Sequence, residues 1–557
     1  MPFYTSVEQL KNLLYVRGYE TDGTPLSYKT SGDDIVLKLY TKDKSGRSSE
    51  KTLFQEPLKD IKFNNIEELM SFKNDFKKEF DLHGDFSIPN QYITQKHLSE
   101  DVNIYNVNCG TIDIETTSAR KKYSDKHNIR IIKPGSTKES KVTIKEFNKY
   151  SDKLYEVFDE EINTWISFSS SCYAQVIGGF PNIENPQEAI TVISVHSSKS
   201  ELITCFTCCQ EPAEPIQFDA CPSNMVYCQS EKELLSKFIA YWKKESFDVI
   251  TGWSSSYFDL PYLYNRMILV LSKKDANDLS FWKYVYVKTI DKMNKKTILV
   301  ELLGTPHLDY IDLYKKFVAS PRENYKLDTI CEIELGEKKL DYSEYNSIQE
   351  FWEQDPVKFT LYNIQDVFLV VSLERKLKLL FLAMTFAYIA KENYSDIYSP
   401  VKTWESLCYN QLYDWKRVVP PMTFTGKDEV FAGAFVREAI PGMYKDVVTY
   451  DLKSLYPSII NMLNISPETL VNRILDTEIQ NSNIVEPLLN RELKNYKVQH
   501  DNNLSLAANG QFYRKDQKGI IPVIMEDLMN KRDQAKFKMI ELKKELEDIK
   551  LQLAECE

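Results

Sequence analysis

Between Val107 and about residue 380 the sequence keeps switching between short apolar runs of strand character and longer helical patterns, and that alternation predicts an α/β core. The run Val107–Ile114 alternates as a strand, and a polar segment from Ala119 to about Gly179 then interrupts the pattern. Strand-like Ile190–His196 resumes it. A helical stretch follows at Glu231–Lys244, then a buried-strand run Phe247–Thr251 and a helix opened by Pro261. Past about residue 380 helical patterns dominate until Asp446–Leu452, which reads as a strand entering a helix at Ser454. The last 28 residues, from Asn530, read as one long charged amphipathic helix with an apolar stripe of Met539, Leu542, Leu546, Ile549 and Leu553.

Composition narrows the function classes. With 43% hydrophobic and 27% charged residues, a chain of 557 residues suits about two to four packed domains. No apolar run reaches the roughly 18 residues a membrane helix needs, and Met-Pro-Phe-Tyr-Thr-Ser is not laid out as a secretory signal, so a cytoplasmic, non-membrane protein is expected. The formal charge of −11 argues against a general nucleic-acid coat protein but not against an enzyme that grips DNA in a local groove. Residues 120–152 run the other way, with ten Lys/Arg against four Asp/Glu. That segment reads as a solvated insertion, with a DNA-backbone contact as the alternative. Ten cysteines fit a reduced compartment. Cys205, Cys208, Cys209, Cys221 and Cys228 superficially suggest zinc, but the later pair is poorly spaced, and free thiols are the expectation.

Three elements carry acids. In Thr111-Ile112-Asp113-Ile114-Glu115-Thr116 the strand period of two puts both carboxylates on one face while the isoleucines pack behind. Alone, such a strand reads equally as an amphipathic edge. Asp259 follows the turn Gly252-Trp253-Ser254-Ser255-Ser256-Tyr257-Phe258 at a helix start, where a helix cap is the plain alternative. In Tyr362-Asn363-Ile364-Gln365-Asp366 the i, i+4 relation places Tyr362 and Asp366 on one helical face, as surface pairs also do.

Taken in order, these elements resemble the three exonuclease motifs of family B DNA polymerases of the T-even bacteriophage type, and Leu308-Asp309-Tyr310-Ile311-Asp312-Leu313-Tyr314-Lys315-Lys316-Phe317 resembles the same group. The resemblance implies an RNase H-like 3′→5′ exonuclease domain that hydrolyses phosphodiesters with two divalent ions. Asp113, Glu115, Asp259 and Asp366 would be metal ligands and catalytic residues, Tyr362 would orient the attacking water, and Phe258 would contact substrate. Mg²⁺ is expected, with Mn²⁺ acceptable to an all-oxygen shell. Ser254 departs from the family, which commonly has Asn there, and the Ala119–Gly179 segment is an insertion relative to it.

Tyr450-Asp451-Leu452-Lys453-Ser454-Leu455-Tyr456-Pro457-Ser458-Ile459-Ile460 resembles polymerase motif A of the same family. The resemblance assigns Asp451 to a metal ion and catalysis, and the Leu452–Leu455 backbone, Ser454 included, to a dNTP triphosphate. It assigns Tyr456 to excluding a ribose 2′-hydroxyl. Phe431, Gly433 and Ala434 fall in a stretch similar to the template-contacting segment, and Arg532 and Lys536 in one similar to the first fingers helix. The implied architecture is an α/β multidomain chain. It has an N-terminal domain over 1–108 with a returning segment at about 382–425, an exonuclease domain over 109–381 with an insertion at about 119–179, part of the palm over 426–511, and the first part of the fingers over 512–557. No Lys-x-x-x-Asn-Ser-x-Tyr-Gly and no Asp-Thr-Asp-Ser stretch occurs. The expectation is therefore the N-terminal subunit of a split replicative polymerase. Its partners would be primer-template DNA, single-stranded 3′ ends, dNTP, a separately encoded C-terminal half and, through that half, a sliding clamp. A stand-alone exonuclease with a vestigial polymerase platform, or a non-enzymatic DNA-binding assembly subunit, are the alternatives.

Overall fold

The computed structural model describes residues 3–76, 81–97, 106–117, 181–214, 216–292, 295–345, 348–421, 438, 440–471, 503–507 and 511–556, and within 118–180 the backbone of five strands. These residues fall into two compact units, one of Met1–Asp34 with Ile88–Thr403 and one of Ile35–Ser87 with Trp404–Glu557. No helix among the described residues is long and apolar enough to cross a membrane.

The first unit is built on a mixed five-stranded sheet. Its elements are β1 (Cys109–Thr116), β2 (Ile190–Ser197), β3 (Leu202–Thr207), β4 (Ser223–Tyr227), α1 (Glu231–Glu245), β5 (Val249–Thr251), α2 (Asp259–Val270), α3 (Tyr310–Phe317) and α4 (Pro356–Leu377). The strand order is β4-β3-β2-β1-β5. Strand β2 runs antiparallel to both β1 and β3, whereas β5 is parallel to β1 and β4 to β3. The strand period sorts the side chains. Ile112, Ile114, Ile193 and Val195 face one core with Phe238 and Leu260, while Val192, Ile203 and Cys205 face a second core with Phe359 and Ile364 of α4. Covering both faces with helices explains why β2 is buried along its whole length.

The polar segment after Ala119 contains strands. His127–Ile132 pairs antiparallel with Glu139–Ile144, and Phe147–Ser151, Leu154–Asp159 and Thr164–Ser169 form a meander. The side chains that would make the basic DNA contact lie outside the described residues. The cysteines do local work instead of meeting at one point. Cys209, Cys221 and Cys228 each donate to a backbone carbonyl, and burial pushes the Cys205 and Cys208 thiols up to about 12.

An N-terminal meander of Phe3–Leu10, Leu13–Tyr19 and Pro25–Thr30 is fastened to this unit by Arg17. Its guanidinium donates to Phe247 O at 2.9 Å, Gly304 O at 2.7 Å and Asp248 Oδ1 at 3.0 Å, and lies 3.8 Å from the Phe281 ring centroid. Burial lowers the Arg17 pKa and raises that of Asp248 despite their mutual attraction, so the pair fixes position more than it adds stability. Removing one partner is different. Arg17→Ala strands a buried carboxylate and is expected to cost about 3–5 kcal/mol, read as a lower urea midpoint, whereas a midpoint within about 0.5 kcal/mol of wild type would contradict this.

In the second unit, α5 (Leu455–Leu463) packs on α6 (Ile520–Cys556). The long helix begins at Ile520 and not at Asn530, because residues 464–468 cap it. Gly519 N donates to Asn464 Oδ1 at 2.9 Å and Ile520 N to Glu468 Oε1 at 2.5 Å, while Pro522 in the first turn has no N–H to satisfy. A Cβ on Gly519 would meet Ser466 Cβ at 2.4 Å, so the capping loop requires glycine. The expected strand Asp446–Leu452 is absent. Tyr450 is 89% exposed, and no described residue pairs with this segment, so its alternation has no sheet to join.

Candidate active site

The two faces of β1 separate its roles. While Ile112 and Ile114 anchor the strand in the core, Asp113 and Glu115 project from the opposite face, with Ser194 and Val192 as their register partners on β2. Helix α4 crosses that face. Asn363 Nδ2 donates to Asp113 Oδ2 at 2.7 Å, and one carboxylate oxygen each of Asp113, Glu115 and Asp366 lie within 4.8 Å of one another. Asp259 opens α2 without capping it. Its Oδ1 instead accepts from Ile114 N at 3.1 Å, the peptide between the two β1 acids. Thus the sheet gathers carboxylates that lie more than 250 residues apart in the chain.

The sequence reading missed Lys339. Its Nζ donates to Asp366 Oδ2 at 2.5 Å and to Tyr362 OH at 3.2 Å, one helical turn away on α4. Burial alone lowers an ammonium pKa, but Asp366 and Tyr362 outweigh it and keep Lys339 charged. Nothing in Lys338-Lys339-Leu340-Asp341 distinguishes this lysine from a surface one. Only the fold supplies its partner.

The electrostatics call for cations. Burial first, then Asp259, Asp366 and Glu115, push the Asp113 carboxyl well above its ordinary range. Burial and Asp366 push Glu115 up to about 8, and burial raises Asp259 to about 7. Burial also raises Asp366, against the pull of Lys339, and its Oδ1 is buried without a hydrogen-bond partner. Crowded hard oxygens with an orphaned acceptor fit divalent ions, which restore the charge balance one lysine leaves short.

A pH effect follows with a definite sign. Without divalent ions the folded chain holds protons on these acids that the unfolded chain releases, so stability falls as pH rises. The contribution is fully present below about pH 4, the unfolded carboxylate range, and is lost as pH passes through the raised values of about 7 for Asp259 and about 8 for Glu115. In EDTA the wild-type Tm should drop between about pH 5 and pH 8 more than that of Glu115→Gln, and Mn²⁺ should restore it at the upper end. Parallel curves for the two proteins would contradict the assignment.

The remaining sequence-selected residues are placed less closely. Phe258 is half-buried, its ring 5.2 Å from Tyr262. In the second unit Asp451, Leu452, Leu455 and Tyr456 are exposed. Ser454 precedes α5 with φ of +48° and makes no side-chain cap, contrary to a capping serine. Its Oγ instead accepts from Arg532 Nη1 at 3.2 Å, and Lys453 Nζ donates to Asp533 Oδ2 at 2.7 Å. The fold thus brings Arg532 to Ser454, at the turn that enters α5, and Lys536 lies one turn further along α6. Phe431, Gly433 and Ala434 lie outside the described residues.

Comparison with known proteins agrees with both units. Residues 123–330 match the exonuclease domain of DNA polymerase family B and residues 405–554 match the DNA polymerase family B model. A DNA-directed DNA polymerase of Escherichia phage RB69 is 34% identical over 58% of this chain and 34% of its own length, and that of Enterobacteria phage T4 is 31% identical over 58% and 34%. The DNA polymerase delta catalytic subunit of Schizosaccharomyces pombe is 26% identical over 58% of this chain and 29% of its own. The chain belongs to family B of the DNA polymerases, carrying that family's exonuclease and polymerase domains. It spans roughly a third of the length of these curated relatives. The exonuclease match includes Asp259 but stops short of Asp113, Glu115, Tyr362 and Asp366, so their grouping rests on the geometry.

Proposed function

We propose that the first unit is a 3′→5′ exonuclease acting on single-stranded or frayed DNA ends, the proofreading activity of a DNA-directed DNA polymerase. The observation that carries this reading is the approach of Asp113, Glu115 and Asp366 within 4.8 Å, with Asp259 tied to the peptide between the first two. These acids would hold two divalent ions, Mg²⁺ or Mn²⁺, which when bound ease deprotonation of an attacking water and balance charge at the departing 3′ oxygen. Asn363 aims Asp113, and Lys339 aims Asp366. Lys339 donates to the Tyr362 oxygen, which holds the phenol beside Asp366, where its hydroxyl hydrogen could orient a water or a phosphate oxygen. Burial and Asp366 raise the Tyr362 pKa, so that hydrogen stays in place at neutral pH.

In the second unit, Asp451 supplies one palm carboxylate and the turn at Leu452–Leu455 a cradle for a dNTP triphosphate. Tyr456 stands against a ribose 2′-hydroxyl, and Arg532 and Lys536 meet phosphate from α6. Templated synthesis needs a second palm carboxylate pair and an opposing fingers helix, from a separate C-terminal subunit or from further residues of the same polypeptide. The exonuclease reading is tested with 5′-labelled single-stranded DNA in Mg²⁺. Shortening from the 3′ end, stopped by EDTA, is the expected result, and shortening from the 5′ end would overturn it.

A further inference from the structure

The turn that delivers Asp259 is an unusual one to hold still. Ser254, Ser255 and Ser256 contribute no apolar anchor, Ser254 sits at φ of +64°, and serine hydroxyls readily find competing local partners. The turn is also pressed against β1, since a Cβ on Gly252 would meet Ile112 O at 2.5 Å. Two side chains from the segment before α3 grip it. Asp309 accepts from the backbone N–H groups of Ser254 at 3.0 Å and Ser256 at 2.8 Å. His307 takes the side chains, with Nε2 2.8 Å from Ser255 Oγ and Nδ1 3.3 Å from Ser256 Oγ.

We propose that His307 is a positioning residue for Asp259, acting through Ser255. The path is short. Ser255 is fully buried, and its carbonyl accepts from Leu260 N at 3.0 Å, closing the first turn of α2 directly after Asp259. Asp259 in turn bonds the peptide between Asp113 and Glu115. His307 is itself fixed, because its segment flanks β5: Ile250 N donates to Pro306 O at 3.0 Å and Leu308 N to Ile250 O at 2.8 Å. Burial lowers the His307 pKa to about 4, so the ring stays neutral and offers one donor and one acceptor to the two hydroxyls. Asp309 holds backbone groups of the turn, whereas His307 holds the Ser255 side chain. This inference rests on the metal-dependent exonuclease reading and deepens it.

The two amide replacements separate the ring nitrogens. His307→Gln keeps a polar atom near the place of Nε2 and with it Ser255, whereas His307→Asn keeps one near Nδ1 and only Ser256. Mn²⁺ binding to the full chain, read by the electron paramagnetic resonance of free Mn²⁺, is the measurement. His307→Asn and Ser255→Ala should weaken Mn²⁺ binding by about tenfold, the scale for residues that orient metal ligands, while His307→Gln stays near wild type. The metal concentration for half-maximal DNA shortening should rise in parallel for His307→Asn, with the rate at saturating Mn²⁺ near wild type. A general packing role predicts otherwise, since both amides would then lower Tm and Mn²⁺ affinity together. Equal affinities for Asn and Gln, or no Mn²⁺ binding to wild type, would overturn the proposal. Wild-type chain that binds Mn²⁺ yet shortens no DNA defeats the exonuclease reading and leaves His307 to be judged on affinity.

Discussion

Asp113→Ala and Asp366→Ala should each slow the Mg²⁺-dependent release of 3′ nucleotides by roughly three orders of magnitude, the scale of losing a preorganised electrostatic stabiliser. Both acids belong to the trio whose oxygens lie within 4.8 Å, so neither can be replaced from within the site. Asp366→Ala also releases Lys339 and Tyr362, which share its hydrogen-bond network. The double variant should therefore be little slower than either single one, because the residues act as a unit. Single-turnover degradation of labelled single-stranded DNA measures this. Rates within a few-fold of wild type for either alanine would remove the metal assignment.

The second large effect concerns synthesis. The 557 residues present should add no nucleotide to a primed template, even at concentrations at which they shorten single-stranded DNA. Asp451 stands exposed on a segment that joins no sheet among the described residues, and one carboxylate cannot bind and space two ions. Arg532 is directed to Ser454 and Lys536 follows it on α6, but a triphosphate also needs enclosure from the opposing side. Adding a polypeptide with the missing palm carboxylates and second fingers helix should bring templated extension above background, in one chain or as two. Extension by the present residues alone would show that Asp451 works without that pair.

How much of this was legible in the sequence depended on the range of the interactions. Ile112, Asp113, Ile114 and Glu115 declare their faces through the strand period, and Tyr362 and Asp366 theirs through the helix period, so both halves of the site could be read locally. Lys339 could not, because its ion pair with Asp366 spans 27 positions and has no periodic signature. His307 was hidden for the same reason, since its serines lie 51 and 52 positions away. Asp446–Leu452 failed differently: alternation shows that a segment can pair, not that a partner is beside it. Helix α6 starts ten residues before Asn530 because its cap comes from Asn464 and Glu468, more than 50 positions away, and a first-turn proline is compatible with that start. The grouping of the N-terminal residues with the first unit rests on contacts far apart in sequence, such as Arg17 with Asp248, 231 positions away, and Tyr4 OH with Glu392 O, 388 positions away.

Anomalous diffraction from crystals of the chain grown with Mn²⁺ and a short single-stranded oligonucleotide tests whether Asp113, Glu115, Asp259 and Asp366 hold the metal. Two Mn²⁺ peaks about 4 Å apart, ligated by these four carboxylates, are expected, with the 3′-terminal phosphodiester between them and Tyr362. A site empty of Mn²⁺ while DNA is bound, or Mn²⁺ held by other residues with these carboxylates left protonated, would contradict the metal assignment.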